Sequence, residues 1–168
     1  MAGMDGSVRP ARTTDAEAVR AVAETAWRDV YTGVLRPETI DAFLERAYAR
    51  DRLERRISQH TFLVAEDGAR LVGFADAVEE PDRVKLAAIY ALPALRGLGV
   101  GTRLLAVLRS QLARRPFAAN VVAGNRKGEV FYERRGFVPG EPFEVDLFGE
   151  WVAERCWWLA PATPPSPG

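Results

Sequence analysis

The sequence predicts a single mixed α/β domain, an α+β sheet in which strands come in a run and helices interrupt singly. Two observations carry this. The order of elements reads β-α-α-β-β-β-α-β-α-β-β, which is not the strict alternation of a doubly wound sheet. The 168 residues, 48% of them hydrophobic, suffice for one core, and neither an internal repeat nor a linker divides them.

Taken in order, 8–11 is a short strand. Thr14 and Glu17 have capping-box spacing and open a helix. Ala18, Val19, Val22, Ala23, Ala26, Trp27 and Val30 keep helical phase along it, and Gly33 ends it. Pro37 and Glu38 suit the first turn of a second helix, whose buried side runs through Ile40, Phe43, Leu44, Ala47, Tyr48, Leu53 and Ile57. Residues 61–65 read as a strand, Asp67-Gly68 as a hairpin turn and 71–78 as the returning strand. Pro81-Asp82 turns the chain into 84–92, nearly all apolar after Lys85, as an interior strand would be, and Pro93 stops it. A helix over 102–112 follows, then a buried-type strand over 117–123. Gly124-Asn125 turns into a short helix over 129–135, with Gly136 as its C′ residue. Residues 143–147 and 151–159 close the fold as a hairpin around Gly149. Residues 1–7 and 160–168 are expected to be disordered ends, leaving 8–159 as the domain.

Composition narrows the function. Lys plus Arg equals Asp plus Glu, at 23 each, which argues against nucleic acid or an anionic membrane as the main partner. One cysteine, Cys156, allows no internal disulfide. With the single His60 it builds no zinc site of the usual kind and offers little to Ser-His or Cys-His catalysis. No metal is expected. No apolar run reaches membrane-spanning length and the N-terminus lacks a signal-peptide core, so a cytoplasmic location is expected.

The most informative segment is 89–101, IYALPALRGLGVG. A strand, a glycine-dense turn with one Arg and a helix N-terminus together form an anion cradle. The same glycines would also serve a tight strand-to-helix connection. A Walker A loop needs a lysine that is missing before Thr102. A dinucleotide fingerprint begun at Gly97 meets Thr102 in its last place, and one begun at Gly99 meets Leu104. What fits is Arg96-x-x-Gly99-x-Gly101. Glycines let backbone N–H groups converge on an anion, and Arg96 at the mouth helps to neutralise it.

The segment 86–105, LAAIYALPALRGLGVGTRLL, resembles motif A of the GCN5-related N-acetyltransferase (GNAT) superfamily, centred on R/Q-x-x-G-x-G/A. A second segment, 122–137, VAGNRKGEVFYERRGF, resembles the next motif, with Asn125, Phe131-Tyr132 and Gly136-Phe137 in order. The resemblance implies a mostly antiparallel central sheet with two splayed strands. It implies acetyl-CoA as cosubstrate and an N-acetyltransferase acting on a primary amine, either a small molecule or a peptide N-terminus. The pyrophosphate would sit on Arg96, Gly97, Leu98, Gly99, Val100, Gly101 and Thr102. The pantetheine arm would run beside Ile89, Tyr90 and Ala91 with Asn125 near it. Tyr132 falls at the general-acid position; its plain alternative is a tyrosine packed under the sheet, as that of Asn125 is a turn residue.

Many members carry a strand glutamate near the position of Lys85, so the base stays open. Asp76, Glu79 and Glu80 read first as solvated carboxylates, with a base acting through water as their other reading. His60 reads as structural or exposed. Arg28 and Tyr31 are the freer candidates for acceptor recognition, whereas Trp27 is in phase with the core. Adjacent Trp157 and Trp158 must face opposite ways on a strand, so one indole is expected at a homodimer seam or the acceptor groove. The alternative function is a non-catalytic acyl-CoA-binding sensor, for which the missing strand glutamate leaves room.

Overall fold

The computed structural model describes residues 6–112 and 114–162. Seven strands form one sheet: β1 (Gly6–Pro10), β2 (Thr61–Asp67), β3 (Arg70–Glu79), β4 (Val84–Ala91), β5 (Phe117–Val122), β6 (Val138–Leu147) and β7 (Glu150–Leu159). Their order is β1-β2-β3-β4-β5-β7-β6, and every neighbouring pair is antiparallel except β4–β5. Five α-helices accompany it: α1 (Ala16–Tyr31), α2 (Pro37–Ala47), α3 (Arg50–Gln59), α4 (Val100–Leu112) and α5 (Arg126–Glu133). The parallel pair needs a crossover, and α4 supplies it. Among the described residues no helix is long and apolar enough to cross a membrane.

An aromatic cluster fills the α1 face of the sheet. Trp27 stacks on Phe43 at 3.8 Å between centroids. Phe74 lies 5.7 Å from Phe62, 5.9 Å from Tyr90 and 6.0 Å from Tyr48. On the other face α4 buries Val100, Leu104, Leu105 and Leu108. Gly73 on β3 permits this approach: a Cβ there would stand 2.7 Å from Val100 Cγ1 and 2.9 Å from the Tyr90 carbonyl oxygen.

Five local expectations are corrected. The Thr14–Glu17 capping box is absent; Thr13–Asp15 is a 3-10 turn, and Asp15 accepts from the Arg12 amide at 2.7 Å and from Arg9 at 2.8 Å. The second helix is two, α2 and α3, with Ala49 extended between them. An unbroken helix would turn by roughly 180° net between Leu44 and Leu53 and point them to opposite sides; the break returns both to the core. Gly6 and Ser7 belong to β1, paired with Asp67 and Glu66, rather than to a disordered end. Residues 1–5 and 163–168 lie outside the described residues. The boundaries of α4, α5 and β6 also begin earlier than the residue pattern suggested, because Val100, Arg126 and Val138 already join their elements.

The fifth correction concerns Asp76, which is 0% exposed. The β3–β4 register shifts between Asp76 and Ala77, leaving Ala87 as an extra residue on β4. Asp76 accepts from Arg56 Nε at 2.8 Å and contacts His60 Nδ1 at 2.7 Å. Arg56 also donates to the Ala47 carbonyl at 2.7 Å and stacks over Tyr48. The cluster ties α2 and α3 to β3, so both Asp76 and His60 have structural work here. A buried guanidinium left without its carboxylate is costly. Asp76→Ala is therefore expected to lower unfolding free energy by about 3 kcal/mol, whereas Glu54→Ala, in an exposed pair with Arg50, should change it by less than about 0.5 kcal/mol. Gly73→Ala should cost about 1–3 kcal/mol through overpacking. Urea unfolding of the three variants checks these values.

Candidate active site

β4 and β5 pair at only two positions, Val84 with Phe117 and Lys85 with Ala118. Beyond Lys85 the strands part, and the β5-facing edge of β4 has no strand partner. The gap opens into a cleft of about 600 Å³ whose walls are β4, the turn after it, and α5.

The turn is built by its sequence. Pro93–Leu95 makes a single 3-10 turn, then Gly97 and Gly99 both adopt φ of +83°, which a side chain would strain. As a result the amides of Gly97, Gly99, Val100, Gly101 and Thr102 have no hydrogen-bond acceptor among the described residues. They lie at the N-terminal end of α4, where the helix dipole favours negative charge. Gly101 is required for a different reason. A Cβ there would meet the Phe131 ring at 2.7 Å, so this glycine lets α5 close against α4.

The α5 wall is strongly cationic. Arg126, Lys127, Arg134 and Arg135 line the cleft with Arg96. Arg135 stacks over Phe131 at 3.7 Å and donates to its carbonyl at 2.8 Å and to the Thr102 hydroxyl. Its Nε is buried with no partner among the described residues, and burial together with Arg134 destabilises its charge. Asp29 on α1 binds both Arg96 and Lys127, which holds its carboxyl below the usual range. A cluster of unpaired amides and under-compensated cations fits a polyanionic ligand.

Asn125 caps α5: its Oδ1 accepts from the Gly128 amide at 2.8 Å, and its Nδ2 donates to the Tyr31 hydroxyl at 3.3 Å. Asn125 is thus the turn and capping residue of α5, and its side chain also lines the cleft. Tyr132 is buried at the cleft wall. Desolvation pushes its hydroxyl well above the ordinary phenol range, so it stays protonated and remains a donor. Tyr90 and Tyr31 are raised by burial in the same way, and their hydroxyls face each other.

The cleft therefore gathers Ile89, Tyr90, Ala91, Arg96, Gly97, Gly99, Val100, Gly101, Thr102, Asn125 and Tyr132. Leu98 is outside it, with its side chain 55% exposed. Tyr31 reaches the cleft but is buried against Trp27, not free as expected. Arg28 points away, pairing with Asp41 and Glu24 on the outer side of α1. Glu79 and Glu80 sit at the far end of β4, where Arg115 and Arg83 hold them. They and Asp76 are removed from the cleft. The basic residues of α5 and Asp29 were not singled out from the sequence. The density of Arg and Lys in 126–135 was the available signal. Trp157 is buried and Trp158 is 37% exposed, as strand alternation requires.

Residues 58–139 match the family model described as an acetyltransferase (GNAT) domain. A probable N-acetyltransferase of Mycobacterium tuberculosis is 28% identical over 149 residues, covering 81% of this chain and 82% of that protein. The PaiA N-acetyltransferase of Thermoplasma acidophilum, solved in complex with coenzyme A, superposes with a TM-score of 0.79 at 22% identity, over 90% of this chain and 98% of that one. YncA of Salmonella typhimurium, solved with its cofactor acetyl-CoA, superposes with a TM-score of 0.68 at 20% identity, over 98% of each chain. The mixed, mostly antiparallel sheet flanked by helices thus matches the fold of these structures. An acetyltransferase (GNAT) domain is matched in sequence over residues 58–139 and the fold is matched along nearly the whole chain, so the chain resembles the GCN5-related N-acetyltransferases in both.

Proposed function

We propose that the protein transfers an acetyl group from acetyl-CoA to a primary amine, on a small molecule or a peptide N-terminus, by direct attack within a ternary complex. The observation that carries this is the set of five unpaired amides from Gly97 to Thr102, set beside the unpaired edge of β4. A pyrophosphate on those amides would place a pantetheine arm along Ile89, Tyr90 and Ala91, where it hydrogen-bonds as an added strand does. Arg96, Lys127, Arg134 and Arg135 would balance the phosphate charge. Support also comes from two superposable proteins that hold coenzyme A and acetyl-CoA.

The chemistry needs three things from the chain. Backbone N–H groups near the Ala87 bulge polarise the thioester carbonyl. Tyr132, kept protonated by burial, gives its proton to the departing thiolate. A deprotonated amine attacks the carbonyl carbon, the N–C bond forms and the C–S bond breaks.

Thermal unfolding with coenzyme A, paired with thiol release over an amine panel, tests the proposal. Coenzyme A is expected to raise Tm, and ATP or NAD to leave it unchanged. Gly99→Glu should abolish the coenzyme A shift, whereas Gly99→Ala, which carries the same backbone strain without the charge, should retain part of it. Tyr132→Phe should lower kcat about 100-fold with the acetyl-CoA dissociation constant unchanged. Coenzyme A binding without turnover on any amine, indifferent to Tyr132→Phe, would identify a sensor instead.

A further inference from the structure

Lys85 and Asn120 are the polar side chains that β4 and β5 present where the two strands part, and neither can accept a proton from an ammonium group. The face they share can be traced through the sheet. Phe74 pairs with Tyr90, and Tyr90 meets Trp27 of α1. Val78, on the same face as Phe74, pairs with Lys85, which pairs with Ala118. Asn120 and Val122 follow Ala118 at intervals of two, and their partners on β7 are Cys156 and Glu154. Glu154 thus stands on the α1 face, beside the wide end of the gap.

Glu154 is half-buried, and among the described residues its carboxylate has no salt-bridge or hydrogen-bond partner. That sets it apart from Asp29, Asp76, Glu79 and Glu80, each held by an arginine. Its own β6 partner is Phe143 and its β5 partner is Val122, both apolar. The titratable groups that face it are Lys85 from β4 and Tyr31 from α1, with Cys156 two residues along its own strand. Tyr31 lies within electrostatic reach of Glu154 on one side and of Tyr132 on the other.

We propose that Glu154 is the general base of the reaction, accepting the proton of the acceptor ammonium at the mouth of the β4–β5 gap. This rests on the acetyl-transfer reading above. The ammonium gives one proton to the Glu154 carboxylate and becomes a neutral amine. The amine nitrogen bonds to the thioester carbon, the C–S bond breaks, and the thiolate takes the Tyr132 proton. The second proton lost by nitrogen restores the Tyr132 hydroxyl, and Glu154 releases its proton to solvent. Acetyl-CoA and the ammonium thereby become amide, coenzyme A and one free proton.

Desolvation raises the Glu154 carboxyl above the ordinary carboxylate range, and the Lys85 charge draws it partly back. The base form exists above that raised value. The acid limb of kcat/KM is therefore expected above the ordinary glutamate pKa of about 4.3.

The test uses the full chain with acetyl-CoA and its best amine. Glu154→Gln should lower kcat about 100-fold and abolish the acid limb, while the coenzyme A shift in Tm is retained. Lys85→Met should keep turnover but move the acid limb to higher pH, because the charge that favours the carboxylate is gone. A merely structural Glu154 would leave that limb unmoved. Glu154→Gln that keeps both its rate and its acid limb, or Lys85→Met with an unshifted limb, overturns this assignment alone. Wild-type protein that binds coenzyme A yet acetylates no amine overturns the acetyl-transfer reading and this assignment with it.

Discussion

The parting of β4 from β5 is the constraint from which the rest of the structure follows. An interior strand normally has its backbone groups paired on both edges, because a buried N–H or C=O without a partner is costly. β4 is paired with β3 along its length but with β5 at only two positions. The Ala87 bulge lies on the same strand and bends it at the place where pairing fails. From below, α4 connects the two strands and packs against β2, β3 and β4, with Gly73 permitting its close approach to β3. On the far side β5 is secured to β7 over six residue pairs. The gap is thus framed by rigid elements, and a ligand entering it meets backbone already positioned.

The same frame explains how the cations are kept. Arg96, Lys127 and Arg135 come from different elements, yet none hangs free in solvent. Asp29 holds the first two, while Phe131 and Thr102 hold the third. A polyanion entering the cleft would exchange one carboxylate partner for several phosphate oxygens. It would not have to gather loose side chains. Affinity then depends on surplus positive charge and on the fixed amides, and less on ordering entropy. A chain with no net charge can bind a polyanion in this way because the compensating acids lie elsewhere on the surface.

Much of this was legible in the residues, and what was not has physical causes. The glycine turn and the α5 motif are local: Gly97 and Gly99 are required by backbone conformation, and Asn125 by the need to cap α5, so short segments specify them. The break between α2 and α3 was missed because Leu44 and Leu53 each fit a helical stripe taken alone; their mutual phase is what fails. Asp76, Glu79 and Glu80 were grouped by chain proximity. The register shift at Asp76 separates them, burying one between Arg56 and His60 and leaving the other two at the outer turn. Glu154 was invisible for a related reason. It is 69 residues beyond Lys85 in the chain, and only the β4-β5-β7 pairing puts the two on one face.

That pairing also gives the polar groups of the cleft a common logic. Tyr31 and Tyr132 are buried and Tyr90 is partly so, and desolvation raises the pKa of all three, so each keeps its proton at neutral pH. A wall of protonated phenols is polar yet uncharged. It can donate hydrogen bonds to a developing negative charge without first being neutralised by it. Charge is kept to the margins: cations gather around the glycine turn, and Glu154, without a salt-bridge partner among the described residues, stands on the α1 face beside the gap. Such a separation suits a reaction whose donor enters as an anion from one end and whose acceptor enters as a cation from the other. Their reacting atoms would meet in the least charged part of the cleft, where each remaining dipole acts with the strength that a low dielectric allows.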